Sequence, residues 1–130
     1  MIKQIIDKYN NILAIIINDH PNETTFVTDS TYIQQVGYIV LKQGDTIQKH
    51  YHAPIVKTVV GLSEVLYVQS GKCIVHFYDQ NQEFVTDLEI VSGNLLVIIA
   101  GGHGFTMLED TVLIETKNGP YLGDSERIRF

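Results

Sequence analysis

The chain has one cysteine, Cys73, and no tryptophan. No internal disulfide can therefore form, and stability has to come from packing alone. Scarce cysteine suits a reducing compartment, and a lone cysteine reads as a small core residue. Basic residues are also few: nine Lys and Arg stand against fifteen Asp and Glu, for a formal net charge of -6. The nine are scattered, so they cannot neutralise a row of phosphates, which argues against a nucleic-acid partner. Long apolar runs are missing too. Leu95 to Ala100 and Ile12 to Ile17 fall far short of the roughly 20 residues that cross a bilayer as a helix. The second run also lacks the basic flank and small-residue cleavage site of an export signal. A soluble cytoplasmic protein with no membrane partner is the expectation.

Hydrophobic residues make up 45% and charged residues 18% of the 130 positions, which suits one ordered globular domain spanning residues 1–130. Apolar residues alternate or fall in short runs between turn formers, and almost no stretch holds a helical period, so the chain reads as all-β. Ile2 to Ile6 and Ile12 to Ile17 form a predicted hairpin around Asn10-Asn11. A polar connection from Asn18 to Ser30 follows, with one helical turn expected after a cap at Asp29 or Ser30. Further strands are predicted at Val36 to Leu41, Thr46 to His52, Val56 to Gln69 with a bend at Gly61, Cys73 to Tyr78, Phe84 to Ile90, Asn94 to Ile99, His103 to Leu108 and Val112 to Lys117. The remaining residues, 118–130, form a tail expected to lie across the outside. Such regular spacing is that of a jelly roll or barrel. Leu95 to Ile99 is apolar without alternation, so both its faces must be covered, one of them by an opposing sheet or a second subunit. A homodimer is the expected assembly.

Side chains two apart on a strand point the same way, with Cα atoms about 6.6 Å apart. His50 and His52 thus face one side, and their imidazoles can reach a common ion at about 2.0 to 2.1 Å per bond. Gln48 shares that face. Phe105 and Met107 share the face of His103, and Leu66 and Val68 that of Glu64. Together they suggest an apolar wall with a few polar groups, so Gln48, Phe105 and Met107 are candidate substrate contacts, with core packing as their plainer role. Glu115 and Lys117 share one face of the last strand, either as a catalytic acid and base or as a solvated pair. His20 and His76 lack partners at useful spacing and read as structural or surface histidines.

The order Gly44, His50, His52, Glu64, Gly71, followed by Gly93, Ile99, Gly101 and His103, resembles the two sequence motifs of the cupin superfamily, over roughly residues 36–117. The resemblance implies a cupin-type jelly-roll β-barrel whose metal ligands are His50, His52, Glu64 and His103. Three imidazoles and a carboxylate suit Fe(II), Mn(II), Ni(II) or Zn(II), and ligand type alone does not choose among these divalent ions. The chain departs from the family pattern in two places. Eleven residues separate His52 from Glu64, a longer spacer than the family has. In the second motif Ile99 and Met107 stand where the family has proline and asparagine, and the loop before His103 is one residue short.

Gly101-Gly102-His103-Gly104-Phe105 with Lys117-Asn118-Gly119-Pro120-Tyr121 further resembles short bacterial cupins encoded among nucleotide-sugar and polysaccharide genes. That resemblance implies a small carbohydrate-like substrate and a metal-assisted isomerase or epimerase. Alternatives are a metal-free version with His50 or His52 as acid and base, an Fe(II)-dependent dioxygenase, and a non-catalytic carbohydrate-binding or sensing cupin.

Overall fold

The computed structural model describes residues 1–130. Its ten strands, all paired antiparallel, are β1 (Ile2–Ile6), β2 (Ile12–Ile17), β3 (Thr25–Phe26), β4 (Gly37–Tyr38), β5 (Glu64–Ser70), β6 (Lys72–Tyr78), β7 (Phe84–Val91), β8 (Leu95–Ile98), β9 (Gly102–Met107) and β10 (Val112–Lys117). They build three sheets: a five-stranded sheet ordered β1-β2-β8-β5-β10, a three-stranded sheet ordered β7-β6-β9, and the small pair β3-β4. The chain is all-β, as the alternation predicts, and no closed barrel forms.

The first hairpin forms where its turn chemistry places it. Asp7 Oδ1 accepts hydrogen bonds from the backbone N–H groups of Tyr9 and Asn11, both at 2.9 Å, and Asn10 takes the left-handed conformation with φ 67°. Such self-bonding is what Asx residues do in tight turns. Gly71 turns β5 into β6 with φ +88°, and a Cβ there would collide with the Asp110 carbonyl. Only glycine fits that place.

The main core lies between the five- and three-stranded sheets. Ala14, Ile16, Leu66, Val68, Leu96 and Ile98 of the first meet Cys73, Val75, Phe77 and Ile90 of the second. Cys73 is fully buried, as its reading as a core residue requires. A second cluster, Ile15, Ile17, Val65 and Val97, occupies the opposite face of the five-stranded sheet and is covered by Val27, Tyr32, Val36 and Tyr38. The continuous apolar run of β8 is thus explained within one chain: Leu96 and Ile98 face one cluster, Val97 the other. The cover expected of a second subunit comes from the β3-β4 segment instead.

Four expected elements differ. The helical turn at Asp29 is a single turn held by Thr31 N–H to Asp29 Oδ1 at 2.8 Å, and the only helical piece is a short 3-10 turn at Gly123–Glu126. The strand expected over Val36 to Leu41 shrinks to Gly37–Tyr38. The strand expected at Thr46 to His52 does not form, and that expected over Val56 to Gln69 begins only at Glu64. Between them runs an arm, Lys42–Val60, whose side chains are all exposed and whose hydrogen bonds never leave the segment. Alternation supplies side-chain pattern, but a strand also needs a backbone partner. The tail does lie outside, with Phe130 edge-on to Tyr78 at 5.1 Å between ring centroids.

Candidate functional site

Glu64 opens β5 and is paired in register with Lys117 at the end of β10. Glu115 lies two residues before Lys117 on the same face, and strand alternation keeps both beside Glu64. His103, near the start of β9, comes from the opposing sheet. The result is a charged cluster at one end of the main core. His103 Nε2 lies 3.0 Å from Glu64 Oε2, Lys117 Nζ lies 3.7 Å from Glu64 Oε1, and Lys117 Nζ lies 2.8 Å from Glu115 Oε1.

Glu64 is only 9% exposed. The hydrogen bond with His103 outweighs burial and holds its carboxyl below the usual value of 4.5, helped by Glu115 and Lys117. The hydrogen bond to Glu115 raises Lys117 above 10.5. Phe105 meets the His103 ring edge-on, at 5.8 Å and 76°, and packs on the core. One histidine nitrogen is left over: His103 Nδ1 is buried without a hydrogen-bond partner.

Two residues to which the sequence assigned no site role fix this geometry. Asn118 Oδ1 accepts from Ser63 N–H at 2.8 Å, Asn118 Nδ2 donates to the Gly61 carbonyl at 3.1 Å, and Ser63 Oγ donates to the Ile98 carbonyl at 2.8 Å. These bonds anchor the start of β5 and so aim Glu64. Ser63 shows in the sequence only as a turn-type residue before a strand, which is too common to pick out, and Asn118 only as part of the Lys117–Tyr121 segment.

Of the expected ligand set, Glu64 and His103 are brought together, while His50 and His52 are not with them. Both lie on the exposed arm, their rings T-shaped at 5.3 Å, with His50 Nδ1 2.9 Å from the Gln48 carbonyl oxygen. Gln48 is likewise exposed on the arm and lines no wall. Met107 ends β9 half-exposed. Nowhere in one chain do three or more His, Cys, Asp or Glu side chains converge as a metal site requires, so a single copy does not fit the four-ligand ion that the resemblance implies. His76, read as structural, lies between Asp87 at 2.6 Å and Thr106 at 2.7 Å.

Two cavities lie elsewhere. One, about 380 Å³, is lined by Thr31, Tyr32, Gln34, Leu62, Ser63 and Ile99 among others. The second, about 410 Å³, is bounded by His20, Tyr38, Tyr67 and Leu95. Neither is lined by Glu64 or His103. No helix is long and apolar enough to cross a membrane. No protein-family model, curated protein or solved structure matched the chain.

Proposed function

We propose that the protein is a cupin-like isomerase or epimerase that moves a proton on a small carbohydrate-like substrate. The observation that carries this reading is the Glu64–His103 contact with Lys117 and Glu115 beside it. It joins four proton-carrying groups on one site between two sheets. A carboxylate kept ionised takes a proton, the imidazole returns one to the neighbouring carbon or oxygen, and Lys117 stabilises the charge that develops on an enolate oxygen. The carbohydrate class comes from the resemblance of the Gly101–Phe105 and Lys117–Tyr121 segments to sugar-cluster cupins. A divalent ion belongs to this proposal only if His50 and His52 join Glu64 and His103, and no step above is routed through it.

Incubation with nucleotide sugars and free sugars in D2O tests the reading, with mass spectrometry following solvent deuterium into the substrate. Glu64→Gln and His103→Asn are each expected to slow incorporation by roughly 10²- to 10⁴-fold. Absence of incorporation across the panel, with the protein folded, would sink it. A non-catalytic carbohydrate-binding module is the second reading. It is favoured by the cavity beside Gln34, whose buried Oε1 has no partner and could accept a ligand hydroxyl. Ligand-dependent thermal stabilisation without turnover distinguishes it.

A further inference from the structure

An arm with exposed apolar side chains and no hydrogen bonds to its own body, beside two sheet edges without a strand partner, calls for an occupant. Ile47, Tyr51, Ile55, Val56 and Val60 are between 62% and 92% exposed. Soluble folds rarely leave so continuous an apolar stretch in water. β9 and β10 are each an edge strand of their sheet, and only the short link 108–111 separates them in the chain. Unprotected edges of this kind invite a further strand.

Both roots of the arm are tied to the body. Val40 N–H donates to Thr24 Oγ1 at 2.9 Å, while Thr24 Oγ1 donates to the Val40 carbonyl at 3.2 Å. Asn118 holds Gly61 and Ser63 at the other end. The roots are anchored, yet Lys42–Val60 makes no hydrogen bond to its own body. Charge points to the same occupant. The arm carries Lys42, Lys49 and Lys57 against Asp45, hence +2, which leaves -8 on the rest of a chain whose total is -6. An arm of one copy is attracted to the body of another. Exchange of identical elements is a low-cost route to a symmetric dimer.

We propose that two copies of this chain exchange the Lys42–Val60 arm. Thr46–His52 of each adds as a strand to the free edge of the other's β9, bringing the partner's His50 and His52 beside Glu64 and His103. Side chains directly opposite on adjacent strands share a face, with Cβ atoms about 4.5 to 5.5 Å apart. A register that sets His50 opposite His103 therefore turns both arm imidazoles toward the face on which His103 meets Glu64. Lys49 and Tyr51 take the opposite face. Ile55–Val60 then lies along the β10 edge, over the exposed Val112 and Ile114. The site is incomplete in one chain, and it is completed by the partner. Exchange itself stands on the arm and the open edges; what the completed site holds rests on the metal-assisted form of the reading above.

Two readouts separate these layers. In the first, ¹⁴N- and ¹⁵N-labelled full-length chains are unfolded, mixed, refolded and treated with a lysine-to-carboxylate cross-linker. Links from Lys49 or Lys57 to Glu109, Asp110 or Glu115 are expected, about half of them between isotopes, as random two-fold assortment gives. A monomer by light scattering, or links only within one isotope, overturns the exchange. In the second, His50→Ala/His52→Ala and His103→Gln chains are refolded together and Zn²⁺ is counted. Each variant alone loses tight binding, whereas the mixture regains about a quarter of the wild-type sites, one per mixed dimer. No recovery, where the wild type binds Zn²⁺, overturns the proposal. A wild type that binds no Zn²⁺ but gives mixed-isotope links supports the exchange and removes the metal.

Discussion

Asp7 shows how much one residue can decide. Its side chain bonds Asn11 and two backbone N–H groups, which holds its carboxyl below the ordinary value of 3.8. A depressed folded value means that the ionised form stabilises the fold above the unfolded value, and that this stabilisation is lost as pH falls through the folded one. Urea melts of the wild type and Asp7→Asn should therefore differ at neutral pH and converge as pH falls through the lowered value of the folded carboxyl. Glu64 is the second such residue. Removing its imidazole partner with His103→Ala leaves a carboxylate of low exposure without its shortest contact, at a cost of about 1 to 3 kcal/mol in chemical denaturation. Glu64 and His103 were legible in the sequence as candidate site residues only. Their direct contact was not, since β9 and β5 belong to different sheets and spacing along the chain does not report distance between sheets.

Among the elements, those with a local partner were readable and those without were not. The β1-β2 hairpin, β6, β7 and β10 fall close to their expected positions because alternation and turn residues act together within a few residues. The arm has the same alternation, with His50 and His52 on one face, yet no strand of its own chain lies beside it. Pattern prepares a segment for a sheet, and a neighbour's backbone decides whether it enters one. Gly71 links β5 to β6 at a positive φ with the Asp110 carbonyl against it. Gly71→Ala is expected to cost about 1 to 3 kcal/mol, read as a lowered urea midpoint. Asn118→Ala frees the start of β5 by removing two hydrogen bonds. About 1 to 2 kcal/mol should be lost, and the proposed proton transfer should slow even though Asn118 moves no proton itself.

At the scale of the whole molecule, the core between the two larger sheets carries the stability, and Phe77, 1% exposed, sits within it. Phe77→Ala should lose about 3 to 5 kcal/mol, as large-to-small core changes do. Val56, 92% exposed in one chain, lies over the partner's β10 edge when arms are exchanged. Val56→Asp should then shift light scattering toward the monomer and remove the concentration dependence of the melting temperature. The sequence by itself determined the all-β class, most strand positions, the buried Cys73 and the candidacy of Glu64 and His103, because alternation, turn chemistry and hydrophobicity are local properties. Only the tertiary structure decided that β8 is covered on both faces by its own chain, that Glu64, His103, Lys117 and Glu115 meet, and that His50 and His52 stand apart from them on an unpaired arm. Those outcomes depend on which sheet edges find partners, and backbone pairing across the molecule is a long-range property that no window of residues contains.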